Sequence, residues 1–231
     1  MNIVRETIPA GLLSHWRGDA DNIYGNVLIP DSIREEDDSD YGGMLSIGNS
    51  EIGMRRLSSQ PSVFRAICMN GCIWDQEKGN AIRQMHKGEI DLALLKEMIQ
   101  DNLKHQIPLI GRGIDLLLTL RDYKVNGAAP MSHVIAQTAR DYKLTKRQAT
   151  GVMQAFLVEK DILEDHANSA FGVVNAVTRF GQTLDDQDWV KFDQIGGQMA
   201  NMKLNRWEAL VQRAKVMDEK ELERAYSTLA L

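Results

Sequence analysis

The stretch Tyr41–Trp74, YGGMLSIGNSEIGMRRLSSQPSVFRAICMNGCIW, decides the fold. It combines strand-type alternation with glycines at points where the backbone must turn, and it holds both cysteines of the chain. Met44–Gly48 alternates as a strand, and Gly48–Gly53 (GNSEIG) has the residues of a tight connection, since Asn49 and the glycines tolerate positive φ. From Ser62 to Cys68 the faces divide into Val63, Arg65, Ile67 and Phe64, Ala66, Cys68, the signature of a second strand. Asn70-Gly71 predicts a two-residue hairpin that folds Cys72–Trp74 back, with Met69 facing Cys72. The alternative is a short helix capped by Gly71, which would place Cys68 and Cys72 on one face.

On the N-terminal side, Ile23–Ile29 (IYGNVLI) is a β-rich run, and Pro30 is expected to end it. Asp31–Asp40 (DSIREEDDSD) is acidic and turn-rich. Clustered carboxylates can chelate a hard cation, but a solvated loop of mutually repelling charges is the simpler expectation. Val27, Leu45, Ile47, Val63, Phe64, Ile67 and Trp74 are expected to be buried in one antiparallel sheet. The helix from about Glu89 to Gln106 should cover it, because that segment has the longest nearby apolar stripe.

On the C-terminal side the period changes to that of helices. Ile90, Leu94, Met98 and Leu95, Ile99, Leu103 lie at helical spacing, and Pro108 is expected to break or kink this helix. A second run, Leu109–Tyr123, carries Ile110, Ile114, Leu117 and Leu118 and ends at Asn126-Gly127; Arg112, Arg121 and Lys124 could make a basic face, with ordinary solvated or salt-bridged positions the simpler reading. Later segments predict a short helix over Ser169–Phe180 with Val173, Val174 and Val177 inward. Thr183 is placed to cap a helix over Leu184–Met199, where Gly196-Gly197 allows a bend or close packing. Leu204, Trp207, Leu210, Val211 and Ala214 form the stripe of a further helix, and Asp218-x-x-Glu221 caps a last one reaching about Leu229. The expected class is therefore α+β, a small antiparallel sheet in the N-terminal third followed by a mainly helical part. The domain reading is a β-rich core segment over 1–80 and a helical region over 81–231 packing on it.

Composition narrows the function. A chain of 231 residues with 43% apolar content can bury one sizeable core or a core with a satellite, and a net charge of −5 provides no global basic field. Two cysteines and an N-terminus without an apolar run of signal-peptide length point to a reducing, cytoplasmic setting. The most apolar part, Leu109–Leu120, contains Arg112 and Asp115, so no membrane span is expected. A structural zinc site needs four nitrogen or sulfur ligands, and His86 and His105 stand at no matching distance from Cys68 and Cys72, so neither metal nor cofactor is expected. The five histidines, His15, His86, His105, His133 and His166, are scattered, and no nucleophile elbow, phosphate loop or zinc-protease motif occurs. An enzyme is the less favoured class.

LSIGNSEIGMRRLSSQPSVFRAICMNGCIW (residues 45–74) resembles the core of the domain-of-unknown-function 932 family, the phage/plasmid-like proteins of mobile elements and prophages. The segment Phe171–Arg179 (FGVVNAVTR) resembles that family's C-terminal motif. Members of the family usually carry a further region ahead of the first strand read here. That family has no established activity or catalytic residues to carry over, and its setting implies DNA processing, replication or recombination, including the handling of single strands.

Pro130–Phe156 (PMSHVIAQTARDYKLTKRQATGVMQAF) gives that implication a physical candidate. Pro130 suits a first helical turn, Thr145-x-x-Gln148 makes a capping box, and the inner faces carry Val134, Ile135, Ala139 and Ala149, Val152, Met153, Phe156. This is a helix-turn-helix pattern over 130–156, with Val158–Asp165 as the start of a wing. Its second helix would offer Lys146, Arg147, Thr150 and Gln154 outward, with Arg140 and Lys143 placed for phosphate. A plain helical hairpin with solvated charges is the alternative. The expected function is nucleic-acid binding in a mobile-element DNA transaction. The alternative is a non-enzymatic structural or host-interaction protein that self-assembles and does not bind DNA. If a preceding region normally completes the sheet, Ile23–Ile29 has an open edge, which predicts a homo-oligomer or a partner that adds a strand. The competing expectation is that residues 1–22 fold back over that edge.

Overall fold

The computed structural model describes residues 12–18, 22–36, 39–50, 57–65, 70–73, 82–84, 92–125, 127–184 and 186–226. The chain divides into two compact units, Met1–Asp115 and Leu116–Leu231. The first contains the strands β1 Leu12–Gly18, β2 Asn22–Glu36, β3 Ser39–Ser50, β4 Leu57–Arg65, β5 Asn70–Ile73 and β6 Ile82–Gln84. Helices follow: α1 Leu92–Asp122, α2 Met131–Asp141, α3 Lys146–Leu163, α4 Ala170–Gln182, α5 Asp186–Ala200, α6 Leu204–Lys215 and α7 Glu219–Ala225, with a 3-10 turn at Glu164–His166. The fold is α+β with a helical C-terminal part, and the boundary between the units falls inside α1.

The sheet is antiparallel in the order β1-β2-β3-β4-β5, and β6 also pairs with β4. Residues paired across an antiparallel ladder share a face. Val27, Leu45 and Pro61 therefore lie on one face with Ile29, Gly43 and Val63, while Leu28, Met44 and Ser62 lie on the other with Asn26 and Ser46. Val27, Leu45, Val63 and Phe64 are buried as expected, and the burial of Ile47, Ile67 and Trp74 lies outside the described residues. Tyr41 to Ser46 are buried consecutively, so β3 is covered on both faces. On the first face the cover includes α1, because a Cβ on Gly43 would lie 2.5 Å from Ile110 Cδ1. On the second, Ser46 Oγ lies 2.7 Å from Asn26 Oδ1 and 3.1 Å from Ser62 Oγ. Buried hydroxyls in a sheet interior must find such partners, since an unpaired one costs about 1–3 kcal/mol.

Several local expectations are corrected here. Strand β2 does not stop at Pro30 but runs to Glu36, and the acidic segment forms hairpin arms in which Arg34 pairs with Tyr41, Glu35 with Asp40 and Glu36 with Ser39. Pro30 is tolerated because β1 pairs only as far as Leu28 and the β2–β3 register shifts between Ile29 and Arg34. Within that bulge the Ser32 hydroxyl donates to the Ile29 carbonyl at 2.6 Å and accepts from the Gly43 N–H at 2.7 Å, standing in for ladder bonds. The carboxylates are tolerated because Arg34 contacts both Glu36 and Asp115 at 2.6 Å.

Asn70-Gly71 is not a turn but the start of β5, opposite Arg65 and Phe64. Phe64 is thus flanked by glycines in both neighbouring strands, Gly42 and Gly71, and a Cβ on Gly42 would lie 2.7 Å from its ring. Cys72 pairs with Val63 rather than with Met69, and the helical alternative is overturned; Cys68 lies outside the described residues. Strand β4 starts at Leu57, earlier than expected, and Pro61 falls in the gap between the stretches of β4 paired with β6 and β5. Strand β1 pairs with β2 from Gly18↔Ile23 to Leu12↔Leu28, so the edge at Ile23–Leu28 is closed by the chain itself, and the open-edge expectation is withdrawn for that strand.

Pro108 does not break its helix either: α1 continues through it. Proline removes the bond to the carbonyl four residues earlier. Lys104 and Pro108 are both exposed, so that carbonyl is on the side where water can serve it.

The second unit is built around α4. Every residue from Ala170 to Thr178 is buried, including the expected Val173, Val174 and Val177. A helix without an exposed side over such a length must be enclosed by others, and α3 and α5 are its main neighbours. Close approach is set by small residues: a Cβ on Gly151 of α3 would overlap the Phe180 ring, and Phe180 meets Phe192 of α5 edge to face at 5.0 Å. Thr183 ends α4, its hydroxyl donating to the Phe180 carbonyl at 2.7 Å, and the expected cap of α5 lies outside the described residues. Leu204 is exposed at the start of α6, whereas Trp207, Leu210, Val211 and Ala214 are buried. The last helix ends at Ala225, short of Leu229. No helix among the described residues is long and apolar enough to cross a membrane.

Two glycines should respond oppositely to alanine. Gly151→Ala should lower unfolding free energy by about 1–3 kcal/mol, because the Phe180 ring must move. Gly111→Ala, at a helical position with nothing within 4 Å of a new Cβ, should raise it by up to about 1 kcal/mol. Urea unfolding followed by circular dichroism measures both.

Candidate nucleic-acid interface

The segment read as a helix-turn-helix holds α2, Met131–Asp141, and α3, Lys146–Leu163, joined by a short turn. Helix α2 packs on α3, and Val134, Ile135, Ala139, Ala149, Val152, Met153 and Phe156 are all buried. Thr145 caps α3 with both bonds of a capping box, accepting from the Gln148 N–H at 3.3 Å while the Gln148 side chain accepts from the Thr145 N–H at 3.0 Å. The expected wing does not form: α3 stays helical to Leu163 and passes into the 3-10 turn, so Val158–Asp165 offers no strand.

The turn between the helices is closed in a way that sequence did not disclose. Lys143 has φ 54°, its N–H bonds to the Arg140 carbonyl at 3.2 Å, and the Leu144 N–H bonds to the Ala139 carbonyl at 2.8 Å. This is the two-bond helix terminator in which glycine is the usual left-handed residue. Lysine there costs about 1 kcal/mol relative to an ordinary conformation.

The next cations stand in an unfavourable place as well. Lys146 and Arg147 open α3, whose first turn has no acidic residue, so two positive charges face the positive end of the helix dipole. Lys143, Lys146 and Arg147 are all exposed, and among the described residues none of them forms an ion pair. Gln154 is exposed two turns further along the same face. Thr150 is half-buried and its hydroxyl already donates to the Lys146 carbonyl at 2.9 Å. Arg140 is exposed but engaged, with Nη1 lying 3.1 Å from Glu221 Oε1. Asp141, the acid beside it, is held by Arg213 at 2.5 Å and by Gln137 at 2.8 Å.

The structure therefore places Arg140 at the end of α2, Lys143 in the turn, and Lys146, Arg147, Thr150 and Gln154 on the helix that follows it. Arg112 belongs to the other unit. Sequence reading missed the contribution of α7. Asp218 caps that helix in a second complete capping box, whose Glu221 accepts from the Asp218 N–H through Oε2 while Oε1 holds Arg140. Glu221 was legible as a capping residue, but its partner lies 81 positions away. Arg224, one turn later, adds a further cation.

Helix α7 is held in place by Tyr226, which is buried and donates its hydroxyl to the Ser132 carbonyl at 2.5 Å. Burial pushes the Tyr226 pKa well above the usual phenol value, and it raises those of Tyr142 and Tyr123 as well. A raised phenol pKa means that the folded state keeps protons which the unfolded chain gives up. Stability should be unaffected below about pH 10 and fall as pH rises above that unfolded value. Tyr226→Phe should flatten part of that alkaline loss while costing about 1 kcal/mol at neutral pH through the missing hydrogen bond. Urea titrations at neutral pH and above pH 10 provide the measurement.

Among the described residues no three histidine, cysteine, aspartate or glutamate side chains gather as a metal site. No model of a known protein family, no curated protein and no solved structure matches the chain.

Proposed function

We propose that this chain binds nucleic acid through the turn between α2 and α3 and the first half of α3, in recombination, replication or a related DNA transaction of a mobile element. The mobile-element setting rests on the resemblance of residues 45–74 and 171–179 to the phage/plasmid-like family. The nucleic-acid surface rests on one observation: three cations occupy the positions of this motif where a stability-only sequence would not put them. Lys143 takes a backbone conformation that glycine takes without strain, and Lys146 and Arg147 oppose the dipole of α3. A phosphate at that end would reverse both electrostatic penalties, since backbone N–H groups and positive side chains would then share an anion. Arg140 would join by exchanging Glu221 for phosphate, and exposed Gln154 lies on the side of α3 that would face a groove, with half-buried Thr150 one turn before it.

A second reading has its own support. Farther along α3, Leu157, Val158 and Ile162 are exposed at 47%, 61% and 42%. An apolar patch beside a polar one suits assembly of the chain with itself or with a host protein, with no role for DNA.

Replacing Lys146 and Arg147 together by alanine should weaken DNA binding and reduce the slope of log affinity against log salt by about 2, because each phosphate contact contributes roughly 0.9. Lys143→Gly should weaken binding too, yet raise stability by up to about 1 kcal/mol. Fluorescence anisotropy with single- and double-stranded oligonucleotides, read against urea unfolding, separates the two effects. If the parent protein binds neither at about 50 mM salt, the nucleic-acid reading is wrong and the assembly reading stands.

A further inference from the structure

A cavity of about 240 Å³ lies within the second unit, between the C-terminal half of α2, the start of α3 and α7. Its apolar lining is Ala136 and Ala139 from α2, Leu144 from the turn, Met217 just before α7 and Ala225 at the end of α7. Its charged lining is Arg140, Lys146, Arg224 and Glu221, three cations against one carboxylate. Arg140 and Glu221 neutralise each other at 3.1 Å. Lys146 and Arg224 are exposed and have no ion-pair partner among the described residues.

We propose that this cavity binds a small aromatic carboxylate. Its size sets the first limit. An enclosed cavity of about 150 Å³ lined by aliphatic groups accepts benzene, so this half-open one has room for a single ring with its carboxyl group at the rim. Its chemistry sets the second. Small alanine side chains leave a flat slot, Met217 provides a polarizable sulfur of the kind that favours ring contact, and Arg140 or Arg224 can stack on a ring face. The carboxylate is directed to the rim by Lys146 and Arg224, which supply the charge that Glu221 leaves unbalanced. An apolar body without a charge would leave those two cations only water, and a bare anion would leave the apolar lining uncovered. The cavity is formed by one unit and needs no nucleic acid, so its occupancy is measured on the protein alone.

The test follows the Met217 methyl resonance in the full chain, assigned through Met217→Leu, during titration with benzoate, benzyl alcohol and inorganic phosphate. Benzoate should shift it saturably, and the other two should bind about tenfold more weakly or less, since each lacks one half of the recognition. Lys146→Gln and Arg224→Gln, both at exposed positions that leave the fold intact, should together weaken benzoate by about tenfold while leaving the unliganded spectrum unchanged. The proposal is overturned if benzoate produces no saturable shift, if benzyl alcohol or phosphate matches it, or if the double variant binds benzoate as well as the parent does.

Discussion

Helix α4 has no side open to solvent from Ala170 to Thr178, and the arrangement of the second unit follows from that constraint. A fully enclosed helix cannot carry unsatisfied polar groups, yet this one contains Asn175 and Thr178. Thr178 turns its hydroxyl back to the Val174 and Asn175 carbonyls at 3.2 and 3.1 Å. Asn175 donates at 2.9 Å to Glu159 of α3, itself 1% exposed, and Arg179 approaches the same carboxylate at 3.2 Å. A buried carboxylate is tolerated only with such partners, and losing one of them typically costs about 3–5 kcal/mol. The segment Phe171–Arg179 is therefore explained by packing: its valines and alanine fill the core, Gly172 sits against the Ala167 carbonyl, and its polar residues lock α4 to α3. A motif-like run in a sequence of this kind marks where the chain is most constrained, which is a different matter from where it is chemically active.

The turn between α2 and α3 shows the opposite economy. The scaffold on either side obeys local rules closely, with capping boxes at Thr145 and Asp218 and a mainly apolar inner face whose buried Gln137, Thr138 and Glu159 are each hydrogen-bonded. Against that background, a left-handed lysine followed by two cations at a helix start departs from rules that the neighbouring residues satisfy. Departures confined to one exposed turn of an otherwise consistent unit are the pattern expected of a functional surface. The proposal for nucleic acid draws its force from that contrast rather than from the presence of a helical hairpin, which by itself is common.

Much of this was legible beforehand, and the division follows interaction range. Both capping boxes were readable because their partners are three residues apart, and the inner faces of α2, α3, α4 and most of α6 were readable because helical periodicity reports burial directly. The misses all involve a local signal outvoted by a distant partner. Asn70-Gly71 carries a strong turn signal, but the two residues pair with Arg65 and Phe64 of the neighbouring strand. Pro30 and Pro108 look like terminators, yet each sits where its missing donor is not required. The charges of Arg34, Glu35 and Glu36 suggested a loop, and Asp115 of α1 supplies the counterpart that lets Arg34 serve in a strand. For the candidate site, every residue on α2 and α3 could be named from sequence, whereas Arg224 and the cavity beside it could not, because α7 reaches them only through the fold.

Overall charge and local charge part company for a related reason. The chain has net charge −5, but charges in water act over about 8–10 Å, so arrangement matters more than the sum. Within the second unit, acids are spent on arginines: Glu159 on Arg179, Asp141 on Arg213 and Glu221 on Arg140. Each of these pairs joins different helices and serves the scaffold. Lys143, Lys146 and Arg147 are left outside this pairing, within five residues of one another in the sequence and on the same turn. The effect is a short positive edge on an acidic protein, the local arrangement that the proposed phosphate contact at this turn requires.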